Sequence, residues 1–335
     1  MDNKTIPALL ELALSARADL FDERHEAALR LFNGFYEGCP DLVIDLYART
    51  LLFHNYADPP EDGLPLVDAA RLYLRSSLPW ARTVVLKTRN SPDPAERRGR
   101  VLEGESPDRK IREYGLWYAL DLTMNRDASL YLDTRNLRKW AIDNLAGKTV
   151  LNTFAYTGSL GVAALGGGAQ RVVHLDLKRS FLNVAKTSYT LNGFPIHKTD
   201  FIRSDFFPGV ARLKRSGELF DCVFLDPPFF SSTDRGTVNL VAEGVRLINK
   251  VRPLVADGGW LVTVNNALFL SGREYMSMLE ELCADGYLHL ESLIPVPEDF
   301  TGYSETRADD FITDPAPFNH PTKIAVLRVK RKDKI

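Results

Sequence analysis

Lys148-Thr149-Val150-Leu151-Asn152 runs into Thr153-Phe154-Ala155-Tyr156-Thr157-Gly158-Ser159, a short apolar run closed by a glycine turn. A strand followed at once by a helix is the repeating unit of an α/β fold, and the same grammar continues on the C-terminal side. Helix is expected from Ser159 to the Gly166-Gly167-Gly168 stop, then a strand over Arg171–Leu175 and a helix over Ser180–Asn192. Further strands are expected at Thr199–Arg203, Phe220–Leu225 and Gly259–Thr263, with a helix over Val238–Val255 between the last two. A helix over Arg273–Asp285, a strand over Leu288–Ile294 and a last strand over Lys323–Val329 close the chain. Five βα units ending in two strands predict a doubly wound, seven-stranded, mostly parallel sheet with an antiparallel edge.

In such a sheet ligands bind outside the carboxyl ends of the strands, so the residues there carry the function. Gly158 lets a ligand approach the backbone closely. The turn lacks the G-x-G-x-x-G fingerprint and a Walker lysine, so neither a dinucleotide nor ATP is the first choice. Asp176 ends the second strand, placed to accept from both hydroxyls of a ribose. Asp205 follows the third strand, where a carboxylate can accept from an adenine amine or simply cap the next helix. Asp226 ends the fourth and opens Asp226-Pro227-Pro228-Phe229-Phe230. The two prolines stop the ladder because neither has an N–H to donate. That leaves an acid, a rigid turn and aromatic rings, which suit a flat nitrogenous ring. Acids after three successive strands beside a glycine turn fit S-adenosylmethionine.

The chain has 335 residues, a formal net charge of −2, and 45% hydrophobic and 26% charged residues. That is the composition of an ordinary globular protein rather than a nucleic-acid coat. Nothing resembles a signal peptide or a membrane span, and three widely spaced cysteines suggest neither disulfides nor a zinc cluster, so a reducing cytoplasm is expected. Two segments are locally basic: Arg82–Arg112, with nine Arg/Lys against five Asp/Glu, and the tail from Lys323, with six against one. Either can be a phosphate-contacting surface or a solvated rim. Residues 1–125 are expected to form a separate small α+β domain, with a helix over 5–33, a hairpin over Asp41–Ala57, a helix over Leu66–Leu78 and a strand from Thr83. Residues 126–335 form the α/β domain. Monomer and homodimer stay equally open.

Four blocks carry a family resemblance: Ile111-Arg112-Glu113-Tyr114-Gly115, Tyr131-Leu132-Asp133-Thr134-Arg135, Phe154-Ala155-Tyr156-Thr157-Gly158 and Asp226-Pro227-Pro228. Together they resemble the bacterial large-subunit ribosomal RNA base methyltransferases, over roughly residues 40 to 330. The resemblance implies a class I methyltransferase fold, S-adenosylmethionine as cofactor and RNA as partner, with ribosomal RNA the expected one. It implies that Asp133 and Arg135 lie over the cofactor beside the transferred methyl; Asn152, Phe154, Ala155, Tyr156, Thr157, Gly158, Asp176, Asp205 and Asp226 are the residues expected around the rest. The block Val85-Leu86-Lys87-Thr88-Arg89 resembles the smaller domain of the guanine-N7 members, which is thought to help bind RNA.

The acceptor is narrowed by chemistry. Cytosine C5 needs a cysteine thiolate to add to the ring first, and the cytosine members carry a cysteine after strand five. Here that place reads Thr263-Val264-Asn265-Asn266-Ala267. The guanine-N7 members carry Ser-Asn-Asn there, and this chain shares the two asparagines. Guanine N7 bears an exposed lone pair and needs no general base. Asn265 and Asn266 can read a purine edge, since an amide both donates and accepts, while Phe229 or Phe230 stacks on it. Phe230 is the aromatic the family shares; Phe229 is additional and resembles the D-P-P-F turn of exocyclic-amine methyltransferases. An exocyclic amine, a small-molecule acceptor and a non-catalytic cofactor-binding module therefore stay open beside guanine N7. The segment from Asp299 to His320 matches nothing in the family.

Overall fold

The computed structural model describes residues 5–233 and 236–331, with the side chains of 230–243 outside that description. It divides into two compact units: residues 1–132 with 297–310, and residues 133–296 with 311–335.

The first unit is a five-stranded sheet covered on one face by two helices. In chain order it contains α1 (Ile6–Ala16), β1 (Ala28–Asn33), β2 (Leu42–Tyr47), β3 (Thr50–Asn55), α2 (Leu64–Ser77), β4 (Thr83–Thr88), α3 (Pro94–Arg98) and β5 (Arg100–Glu103). A separate hairpin, β6 (Lys110–Glu113) with β7 (Leu116–Ala119), follows. The strands lie in sequence order, and only β3 and β4 run parallel, because α2 carries the chain back across the face. Val67, Ala70 and Leu74 recur at helical spacing on α2 and are buried with Leu10 and Ala13 of α1 against Leu42, Ile44, Leu51 and Phe53 of the sheet.

The expected helix over 5–33 stops at Ala16, and its last six residues, Ala28–Asn33, are a strand instead. The apolar positions Ala27, Leu29 and Phe32 fit either period over so short a run. What decides is remote: β1 pairs antiparallel with β2, and Arg30 faces Asp45 across that pair, its Nε 2.9 Å from Oδ1. The helix ends on Arg17, which is fully buried. Its guanidinium donates to both oxygens of Glu37 (2.9 and 3.1 Å) and to the carbonyls of Ala13, Arg30 and Asp299. One side chain thus ties α1, β1 and the 297–310 segment together. Removing it leaves the Glu37 carboxylate buried without its cation. Arg17→Met is therefore expected to cost roughly 3–5 kcal/mol, seen as a lower urea midpoint with an unchanged slope; a midpoint within error of wild type would show the pair to be dispensable.

The second unit contains α4 (Arg135–Asn144), β8 (Thr149–Thr153), α5 (Ser159–Gly166), β9 (Arg171–Asp176), α6 (Arg179–Asn192), β10 (Phe201–Arg203), α7 (Phe206–Ser216) and β11 (Phe220–Leu225). The hairpin strands β12 (Phe230–Thr233) and β13 (Gly236–Asn239), α8 (Leu240–Val251), β14 (Val255–Asn265), α9 (Gly272–Cys283) and β15 (Leu288–Leu293) follow. The chain then lends α10 (Glu298–Thr301) to the first unit and returns as β16 (Lys323–Val329). The sheet order is β10-β9-β8-β11-β14-β16-β15, seven strands and mostly parallel as expected. The reversed strand is β16, which sits one place in from the edge, and β15 at the margin runs with the majority. The helix α7 and the hairpin β12–β13 add to the elements expected from sequence.

Strand alternation sorts the core. Leu151, Val173, Leu175, Val223, Leu225 and Leu261 pack with Val210, Leu247, Val251 and Leu279 on one face. Val150, Asn152, His174 and Phe224 point the other way, where Trp140 of α4 packs edge-on against Phe224. No helix among the described residues is long and apolar enough to cross a membrane.

Candidate active site

β8, β9, β10, β11 and β14 are parallel, so their carboxyl ends all open at one edge. The register sets their heights. Thr153 pairs with both Leu175 and Leu225, and Leu225 with Thr263. Phe154, Asp176, Asp226 and Val264 consequently emerge at one level, followed by Asn265.

The loop after β8 is held in an unusual backbone. Phe154, Tyr156 and Gly158 have φ of 52°, 50° and 77°, a region that side chains other than glycine enter rarely. Three contacts over-determine it. Ala155 N donates to Leu175 O (3.0 Å), Tyr156 N to Asp176 Oδ2 (2.8 Å), and the Phe154 ring stacks on Phe206, 4.6 Å between centroids. A Cβ on Gly158 would stand 2.6 Å from that of Ala185, and one on Gly161 only 2.3 Å from His174 Cε1. The glycines therefore let α5 settle against β9 and α6. Ala155 and Thr157 are buried, while Phe154 and Tyr156 are half-buried.

Asp176 is half-buried, and its second oxygen accepts from Lys178 N (2.8 Å). Burial pushes its carboxyl above the ordinary range, although these amides and the Lys178 ammonium pull the other way. Asp205 is also half-buried and caps α7, one oxygen accepting from Phe207 N (3.1 Å). Asn152 lies inside β8, 1% exposed, with Nδ2 3.4 Å from His174 Nδ1 and Oδ1 without a hydrogen-bond partner among the described residues. It stands beneath the loop rather than at its surface. His174 also meets the Tyr189 hydroxyl (2.8 Å), and burial pushes its pKa down to about 3, so it stays neutral.

Asp226 and Asp133 form the electrostatic centre. Both are half-buried. Burial, then the neighbouring Asp133 carboxylate, pushes the Asp226 carboxyl up to about 7. Thr322 Oγ1 donates to Asp133 Oδ2 (3.0 Å), and Arg135, half-buried, begins α4 two residues later. Two close carboxylates, one of them reluctant to ionise, fit a cationic ligand. With the Asp176 acceptor and the glycine turn, this donor set suits S-adenosylmethionine, whose ammonium and sulfonium are both positive. After Asp226, Pro227 is buried and Pro228 exposed, and Phe229 keeps 47% of its surface open. Phe230 opens β12, and its side chain lies outside the described residues.

The two asparagines part company. Asn265 is 1% exposed; its Oδ1 accepts from Ala267 N (2.9 Å), and its Nδ2 has no partner among the described residues. Asn266 is exposed. Lys323, fully buried, donates to Ala267 O (3.0 Å) and Pro321 O (2.6 Å), fixing the same loop from β16. The sequence counts Lys323 only as the start of a strand and of a basic tail, and gives Thr322 no role. A lysine directly ahead of the apolar run Ile324-Ala325-Val326-Leu327 was the available sign of a buried ammonium.

Several described cations of the two basic segments are engaged locally. Lys87 is buried and donates to the carbonyls of Arg98, Asn125 and Asp127, and burial pushes its pKa down to about 8. Arg89 pairs with Asp127, Arg100 with Glu96 and Arg328 with Glu291. The thiols are poor nucleophiles: Cys222 is fully buried in β11 with its pKa pushed well up, and burial also raises Cys39 and Cys283.

Residues 30–302 match the model of the S-adenosylmethionine-dependent methyltransferase family. The chain is 33% identical over 284 residues to the ribosomal RNA large subunit methyltransferase I of Aeromonas salmonicida, covering 83% of this chain and 70% of that protein. It is 34% identical over 253 residues to the ribosomal RNA large subunit methyltransferase K/L of Shewanella amazonensis, covering 73% of this chain and 34% of that one. Among solved structures, a methyltransferase complexed with SAH superposes with a TM-score of 0.83 at 21% identity, covering 98% of this chain and 83% of that one.

Proposed function

The chain belongs to the S-adenosylmethionine-dependent methyltransferase family, and from that premise we propose that it methylates a base nitrogen of 23S ribosomal RNA, guanine N7 foremost. Relatives of both types that match it are ribosomal RNA large subunit methyltransferases. The observation that supports the choice of atom is the Asn265 amide, a buried donor with no partner among the described residues, on the strand exit next to the acceptor turn. A buried donor left unmade is costly, and guanine offers O6 as an acceptor next to N7. The cofactor supplies a methyl already activated on sulfonium.

The side chains have the remaining task, which is alignment. Asp176 accepts from the ribose hydroxyls while keeping the 154–158 loop in place, and Asp205 faces the adenine. Asp133 and Arg135 flank the methyl-bearing end. Phe229 stacks on the target base, a contact of about 1–3 kcal/mol, and Asp226 accepts from its polar edge. Cytosine C5 is the less suitable acceptor, because it requires a thiolate and the cysteines are buried or partly buried with raised pKa values.

One observation favours a second reading. A carboxyl with a pKa of about 7 can take the proton that an exocyclic amine loses on methylation, and Phe229 completes a D-P-P-F turn. Labelled methyl transfer to protein-free 23S ribosomal RNA, followed by nucleoside mass spectrometry, separates the two. 7-Methylguanosine supports the first, N2-methylguanosine or N6-methyladenosine the second. Labelling of small molecules alone removes the RNA acceptor.

A further inference from the structure

We propose that Phe269 is a stacking platform for the base adjacent to the target nucleotide in single-stranded RNA, a site that rests on the RNA reading above. Phe269 keeps 72% of its surface exposed, the most of any large apolar residue among those described. It lies on the loop between Asn265 and α9, at the ligand edge of the sheet. This exposure does not come from a loose loop. Ala267, two residues before it, is fully buried, and Leu270, immediately after, packs on the core.

Hydrogen bonds fasten the same stretch along its length. Ala267 N donates to Asn265 Oδ1 (2.9 Å), Leu270 N to Ala267 O (3.3 Å), and Lys323 Nζ to Ala267 O (3.0 Å). Gly272 N donates to Asp314 O (2.9 Å), and Ser271 with Glu274 forms a capping box at the start of α9. The backbone therefore holds an aromatic ring outward on a fixed support, and a ligand that stacks there does not have to order the loop.

The surroundings suit a nucleic acid. Asn266 and Arg273, three residues before and four residues after Phe269 in the chain, are exposed and supply an amide and a cation on the same stretch. The loop itself, Asn266 to Ser271, carries no acid; Glu274 of α9 closes the capping box, and Asp314, to whose carbonyl Gly272 N donates, accepts from Ala316 N (2.9 Å). β11 and β14 are paired neighbours, so the exits carrying Phe229 and Phe269 leave the sheet side by side. An aromatic at each exit is what two bases of one strand need, because every base offers a π face.

The test uses the full chain with S-adenosylmethionine. In Phe269→Ala, KM for protein-free 23S ribosomal RNA should rise about tenfold or more by the loss of one stacked base. KM for S-adenosylmethionine and the thermal midpoint should stay at wild-type values. Phe269→Trp should keep the wild-type KM. Its fluorescence, taken as the difference from the four native tryptophans, should be quenched by a single-stranded RNA oligonucleotide. An unchanged RNA KM in the alanine variant overturns the platform, as does a tryptophan that responds to ribosomal proteins but not to RNA. Wild-type transfer separates the two levels: wild type that labels RNA with an alanine variant to match removes only the platform, whereas wild type that labels no RNA removes the RNA reading and the platform with it.

Discussion

Asp226→Asn should lower kcat roughly a hundredfold or more, the scale of loss expected when a reacting base is misplaced by about 1 Å, and it should flatten the acid limb of the pH profile. In wild type the Asp226 carboxyl titrates at about 7, so the accepting carboxylate forms as pH rises. The limb in kcat/KM should rise towards that value from below. A bound cation favours the ionised carboxylate, so the limb in kcat should lie at lower pH than the limb in kcat/KM. Asp133→Asn removes the repulsion that is the second cause of the shift, and the limb should move to lower pH again. If the limb survives unchanged in Asp226→Asn, another group carries it. Stability follows with the opposite sense. A carboxyl raised above its unfolded value of about 3.9 binds its proton more tightly folded than unfolded. Its contribution is complete below that value and is lost as pH rises through about 7. Asp226→Asn should therefore gain stability relative to wild type between pH 5 and pH 8, measured by urea unfolding at both.

Asp176→Ala should weaken S-adenosylmethionine binding by about a hundredfold or more. Each hydrogen bond to a charged acceptor contributes roughly 1.5–3 kcal/mol, and a ribose presents two hydroxyls. The carboxylate also holds Tyr156 N and Lys178 N at 2.8 Å each, so its loss releases a loop with two non-glycine residues at positive φ. Asp176→Asn keeps one acceptor and should fall between alanine and wild type. Titration calorimetry reads all three. Cofactor heat in the alanine variant equal to that of wild type would remove Asp176 from the site.

Much of the second unit was legible because its signals are local. β11 and β16 begin and end where the sequence predicts, each a compact apolar run with a clear boundary at its ends. Gly158 marked the turn before α5 through a conformational demand that only glycine meets cheaply. The first unit was less legible at its start, where Ala28–Asn33 is a strand because Asp45 of β2 and the ladder lie across from it. Nothing within residues 5–33 encodes that partner. The return of residues 297–310 to the first unit is equally remote, made by contacts such as Asn33 Nδ2 to Phe300 O at 2.6 Å.

The sequence alone determined the fold class and the chemical kinds of side chain that end the parallel strands, because strand period, proline and glycine act within a few residues. Only the tertiary structure decided how those side chains behave. It put Asp133 close enough to Asp226 to raise its carboxyl, and brought Thr322 and Lys323 from the end of the chain to brace Asp133 and the Ala267 loop. It buried Asn265, its amide donor unpartnered among the described residues, while exposing Asn266 and Phe269. Burial and charge proximity depend on residues far apart along the chain, and no local pattern records them.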